Sequence, residues 1–267
     1  MTEELEVVNA MTPQTWNVIS GRVADEMKAH VARFVTPLSR ETLSTVALQG
    51  TGTYITRAGA PELLTCAHVL ERGDVDHRFH RRNEVYACPG PWRQAPAPKD
   101  VAIAPLTEAV WNYAPHGADV VHVHRFASVH SLSDPAELLF FGGYAGENAH
   151  YGFGEHAANR SGYCSQEKKD TGDAEIFEIF WEPEHTSFTP GTSTEARVEM
   201  RYDDPQGFSG SLVWNTRYLE VTSAGGEWSS DDAVVTGLLR RWDLETRTLL
   251  VWRVEHLNAW LAKHPPV

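Results

Sequence analysis

The stretch DDPQGFSGSLVWN, running from Asp203 to Asn215, decides how this chain is read. An acidic, proline-bearing turn signal leads into Gly207, Phe208, Ser209 and Gly210, and an apolar run through Trp214 follows. Alone, Ser209 is a turn or capping serine ahead of a strand. A serine hydroxyl is a poor nucleophile at neutral pH. It needs a base to take its proton, a group to orient that base, and donors for the oxyanion. Those partners have to come from the rest of the chain.

The bulk properties narrow the field. With 267 residues, 42% hydrophobic and 22% charged, a folded globular protein with a full core is expected. The formal net charge of −13 argues against nucleic acid, whose phosphates need clustered Lys and Arg, and against docking on anionic membranes. The N-terminus, MTEELEVVNAMTPQTW, carries acids where a signal peptide needs a basic region. No apolar run approaches the ~20 residues of a membrane span. Cys66, Cys88 and Cys164 are sparse and odd in number, which suggests free thiols in a reducing compartment. A cytoplasmic protein is the expectation.

Between Ala24 and Leu38, Met27, Val31 and Phe34 recur at helical spacing, so a short helix is expected in an N-terminal extension of residues 1–40. From Thr42 the segments become short and β-rich, separated by Gly, Pro or charged breaks: TLSTVALQGTGTYITRAG, LLTCAHVL, EVYACPG, DVAIAPL and AELLFFGGYAG. Residues from Gly152 to Asp173 are polar and suggest a long surface loop. Strands then resume in AEIFEIFWEP, EARVEMRY, GSLVWN, AVVTGLLRRW and TLLVWRV. The final VEHLNAWLAKH has Val254, Leu257 and Leu261 at helical spacing and is expected to close the chain as a helix. About a dozen short strands without βα alternation imply an all-β barrel or sandwich.

Thirteen histidines make a histidine somewhere uninformative. His68 stands apart: in LLTCAHVL an apolar strand runs into the small Cys66 and Ala67, and then the imidazole, which such neighbours let turn towards a cleft. Asp100, in KDVAIAPL, immediately precedes a buried-looking strand and is placed to reach inward to an imidazole N–H. Asp74 and Asp76 are nearer in sequence, but neither is followed by such a strand. The candidates therefore run His68, Asp100, Ser209.

In that order, GTGTYI…LLTCAHVL, DVAIAPL and GFSGSLV resemble the three catalytic blocks of the chymotrypsin/trypsin-like serine proteases over most of the chain, roughly Leu48 to Leu239. The resemblance implies two antiparallel six-stranded β-barrels, residues 41–130 and 131–253, followed by a C-terminal helix and tail over 254–267. It implies Ser209 as nucleophile, His68 as general base and then acid, and Asp100 as the residue that fixes its tautomer. The N–H groups of Gly207 and Ser209 would form the oxyanion hole. Protein or peptide would be the substrate, with no cofactor and no metal.

The departures are informative. Val69 follows the histidine where secreted members carry a cysteine, and Phe208 stands where they carry the aspartate that pairs with a new N-terminus. Activation by that salt bridge is therefore not available, which points to intracellular bacterial-type members, in style nearer the HtrA-like proteases. Asp203 lies where the trypsin pattern has the base of the substrate pocket, yet Asp203, Asp204 and Pro205 also suit a plain turn. TGLLRRW would supply the other wall through Thr236, Arg240 and Arg241, whose charges oppose Asp203, so the preferred substrate residue stays open. His122 with His124, and His77 with His80, lack a third ligand at metal-site spacing. An α/β-hydrolase would need the order Ser, Asp, His and parallel βα units. The rival from another class is a catalytically silent scaffold of this shape that binds a protein partner. A regulatory or defence-associated role, with an activating or inhibiting partner, is a reading from resemblance alone.

Overall fold

In the computed structural model, the residues described are 13–41, 46–88, 90–113, 115–152, 155–169, 172–183, 186, 188–199 and 204–266. Helix α1 (Pro13–Val31) comes first. Its Val23, Met27 and Val31, four residues apart, are fully buried and form the face that packs inward. The helix starts earlier and stops sooner than the spacing of Met27, Val31 and Phe34 predicts. Thr36 precedes Pro37, and that juxtaposition disfavours helix, so Phe34 instead leads into strand β1 (Val35–Glu41) while staying buried. The expected boundary at residue 40 thus falls inside a strand of the first sheet.

That sheet continues with β2 (Val46–Arg57), β3 (Ala60–Thr65), β4 (Val75–His77), β5 (Tyr86–Cys88), β6 (Arg93–Ala95) and β7 (Val101–Pro105). The order is β5-β4-β1-β2-β3-β7-β6, all antiparallel, and the two-residue β8 (Val121–His122) lies parallel to β2 after the short helix α2 (Glu108–Trp111). The second sheet holds β9 (Leu139–Gly152), β10 (Glu155–Ser165), β11 (Glu167–Lys168), β12 (Ile176–Phe180), β13 (Leu212–Asn215), β14 (Val234–Asp243) and β15 (Thr248–Arg253). Its order is β10-β9-β13-β14-β15-β12-β11. Helices α3 (Thr194–Glu199) and α4 (Tyr218–Ser223) sit in its connections. The molecule is mostly β, with two curled antiparallel sheets, as a chymotrypsin-like double barrel requires. Among the described residues each sheet has seven antiparallel strands along its path rather than six.

The polar stretch expected as a loop holds β10 and β11. Arg160 to Ser165 pair with Tyr144 to Leu139 of β9, and α1 packs alongside. Backbone pairing and a covering helix make this a strand, and composition reports neither.

One buried cluster runs from α1 through the first sheet to Phe140, Leu212, Trp214 and Trp252 of the second. A second cluster, containing Phe141, Phe177, Trp181, Phe208 and Val251, fills the second barrel. Helix α5 (Val254–Lys263) closes the chain as expected, burying Val254, Leu257, Trp260 and Leu261. Its last carbonyls are capped from the first sheet. Arg57 donates to Leu261 O at 2.6 Å and His264 O at 2.7 Å while paired with buried Glu62 at 2.6 Å. Among the described residues, no helix is long and apolar enough to cross a membrane.

Candidate active site

Strand register brings His68 and Asp100 together. Thr65 of β3 stands opposite Ala102 of β7, so the residues just past the end of β3 meet those just before the start of β7. His68 lies on a 3-10 turn, Ala67–Leu70. Its Nδ1 is 2.8 Å from Asp100 Oδ2, and its backbone N–H donates to Oδ1 at 3.0 Å. Asp100 takes a left-handed backbone conformation, φ +55°, a strained setting for a residue with a Cβ, and its N–H donates to Pro96 O at 3.2 Å.

Asp100 is buried. Burial alone raises its carboxyl. The hydrogen bonds from His68, the His68 ring itself and the Arg240 guanidinium outweigh that and hold it below the ordinary carboxylate range. Arg240 Nε lies 4.0 Å from Asp100 Oδ2, and the residue is only 5% exposed. A buried cation behind the aspartate was not part of the sequence reading, which assigned Arg240 to the substrate pocket.

Ser209 sits in the tight turn between Pro205 and Leu212. The turn is strapped to β2 of the other sheet: Thr51 N–H donates to Ser209 O at 2.9 Å, Thr51 Oγ1 to Gly207 O at 2.7 Å and Thr53 Oγ1 to Gly210 O at 3.2 Å. Two further peptides have their carbonyls held. Gln206 O accepts from Gly146 N–H at 2.7 Å, and Phe208 O accepts from Ser211 N–H at 2.9 Å. In a trans peptide the N–H points opposite its carbonyl. The amides of Gly207 and Ser209 are therefore aimed away from these partners, and among the described residues neither meets an acceptor. Two glycines make the turn possible. Gly207 has φ +104°, and a Cβ there would lie 2.5 Å from Tyr144 O. Gly210 has φ +95°, and a Cβ there would lie 2.1 Å from Thr51 O.

Phe208 points the other way. It is fully buried in the second barrel, edge-on to Phe141 at 5.3 Å and to Tyr163 at 5.7 Å. Cys66 is buried behind the pair, its thiol pushed well above its usual range by burial and donating to Leu239 O at 3.3 Å. Its sulfur, the His68 ring and an Asp100 oxygen lie within 4.8 Å of one another. A protonated thiol and a carboxylate already bonded to the imidazole suit a hydrogen-bonded pair better than a cation. No hydrogen bond joins Ser209 Oγ to His68 in this structure.

A cleft of about 680 Å³ opens on the His68–Asp100 pair, lined also by Glu71, Gln94, Arg240 and Arg241; Ser209 and Gly207 are not part of its lining. Thr236 is not on it. It is buried in β14, its hydroxyl 2.6 Å from the buried His130 ring. Asp203 lies outside the described residues. His122 ends β8 and His124 lies on the following 3-10 turn, their exposed rings 5.2 Å apart.

No family model and no curated protein matches the sequence. Solved structures do match. The active form of the Rv3671c protease from M. tuberculosis is 18% identical, covering 92% of this chain and 88% of its own, with a TM-score of 0.54. An inactive form of Rv3671c is 17% identical, covering 92% and 95%, with a TM-score of 0.51. The serine protease domain of the Sesbania mosaic virus polyprotein is 11% identical, covering 86% and 92%, with a TM-score of 0.48. The structural neighbours are chymotrypsin-like serine proteases, and at these identities the likeness is one of fold.

Proposed function

We propose that this chain is a serine endopeptidase whose triad is His68, Asp100 and Ser209. The observation that carries the proposal is the bonded His68–Asp100 pair beside a serine turn whose Gly207 and Ser209 amides are unpaired. On this reading His68 Nε2 takes the proton of Ser209 as its Oγ attacks the scissile carbonyl. Asp100, ionised by its surroundings, holds Nδ1–H and offsets the charge of the imidazolium that forms. The developing oxyanion is received by the two amides, which are already oriented and need no reorganisation. His68 then protonates the leaving amine, and water releases the acyl group from Ser209 by the reverse sequence. The Ser209–His68 hydrogen bond, open in this structure, forms when substrate excludes water. Phe208 leaves no carboxylate for a new N-terminus to pair with, so activation through that salt bridge is not part of this reading.

Covalent labelling with a fluorophosphonate tests the proposal. Wild type is expected to gain one adduct on Ser209, and Ser209→Ala none, with both proteins showing the same unfolding midpoint. The second reading, a silent scaffold that binds a partner, draws on the open Ser209–His68 contact. A folded wild type that stays as unlabelled as Ser209→Ala would establish the scaffold instead.

A further inference from the structure

Resting on the peptidase reading, we infer that the cleft beside His68 selects protein substrates with an acidic side chain close to the scissile bond, and that Arg241 is the residue that selects it. Arg240 and Arg241 are consecutive on β14, where the register shifts between Leu239 and Arg241. Both reach the cleft, but their circumstances differ. Arg240 is buried and committed to Asp100 at 4.0 Å. Arg241 is exposed, and its guanidinium has neither an ion pair nor a hydrogen bond among the described residues, although its backbone pairs with Leu250 of β15. An unengaged guanidinium stands out in a chain carrying 36 acids against 23 bases, where acidic neighbours are plentiful.

The rest of the lining sharpens the point. Gln94, Pro96 and Ala97 opposite are uncharged. The lining carboxylates are Asp100, already held by His68, and Glu71, on the far side of the His68 turn. The cleft is therefore polarised, positive along β14 and negative beyond His68. A planar guanidinium takes a carboxylate through two parallel N–H bonds. A lysine in the same place would be repelled by Arg241 and by Arg240 behind it. Discrimination by charge of this kind rests on the repelled alternative as much as on the favoured one.

The test is cleavage of a peptide library whose members carry Glu, Gln or Lys at each of the four positions on either side of the bond. Rates are expressed per fluorophosphonate-reactive Ser209 for wild type, Arg241→Gln and Arg241→Glu. Wild type is expected to show kcat/KM about 10-fold higher for Glu than for Lys at one position, an ordinary size for a partly exposed charge pair. Arg241→Gln should bring that ratio near one, Arg241→Glu should invert it, and 1 M salt should compress it in wild type. Equal cleavage of Glu and Lys peptides by a labelled wild type, or an unchanged ratio in Arg241→Glu, overturns the inference while leaving the peptidase reading intact. A wild type that neither labels nor cleaves overturns both.

Discussion

Asp100 is the residue on which the site turns. It occupies a backbone conformation that aspartate tolerates better than most side chains, but still at a cost, and the two bonds to His68 are what that conformation delivers. Asp100→Asn keeps the shape but lets the amide donate to Nδ1, which stabilises the wrong tautomer. On the peptidase reading, labelling of Ser209 should then fall by roughly 10³–10⁴-fold, as removing the equivalent charge does in the well-studied triads, and the unfolding midpoint should fall as well, because the buried Arg240 loses its carboxylate. Because the folded carboxyl sits below its ordinary value, its stabilising contribution is present above the ordinary carboxylate range. It is lost only as pH falls through the depressed value. The activity of wild type should therefore not show an Asp100 limb at mildly acidic pH.

At the scale of elements, two buried histidines tie helix α1 and strand β4 to pH. His30, in the last turn of α1, is held to about 4 by burial and by Arg125 and Arg33, and His77, in β4, is held to about 4 by burial. His77 Nδ1 lies 2.8 Å from the Tyr54 hydroxyl within an aromatic cluster that includes Phe79 and Tyr86. Both rings are neutral in the fold, while an unfolded chain protonates them near the ordinary 6.5. The unfolded state thus binds more protons between about 6.5 and about 4, and stability must drop as pH falls across that window. His77→Gln retains a polar partner for Tyr54 and removes one titration. Unfolding free energies from urea titrations between pH 7 and pH 4 should fall less steeply for this variant, by on the order of 1–3 kcal/mol over the window. An identical slope would show that His77 is not protonated on unfolding in this range.

At the scale of the molecule, Thr51 holds the two sheets to the site. Its hydroxyl donates to Gly207 O at 2.7 Å and accepts from Tyr144 N–H of β9 at 3.0 Å, so one side chain of the first sheet fixes both the serine turn and the second barrel. Thr51→Val conserves shape and leaves both backbone groups without a partner. A cost of about 1–3 kcal/mol per orphaned group is expected, together with a labelling rate about 10-fold slower, because Gly207 is then free to rotate its neighbouring amides. Unchanged labelling in a destabilised Thr51→Val would assign this residue to stability alone.

Much of this protein is legible in its sequence because the information is local. The His68 block, the strand after Asp100 and the glycine-flanked Ser209 are each short, and their order along the chain cannot be altered by folding. The alternation of β-rich segments with breaks likewise marks an all-β molecule, and the apolar spacing from Val254 to Leu261 marks its last helix. What only the tertiary structure decided depends on partners distant in the chain. β10 is a strand because β9 and α1 are beside it, although its composition is that of a loop. Thr236 turns to His130, and of two neighbouring arginines that both line the cleft only Arg240 is committed to Asp100. Phe208 becomes a core residue of the second barrel. In each case burial and pairing across the fold set the environment, and a side chain's role follows its environment, which sequence adjacency does not specify.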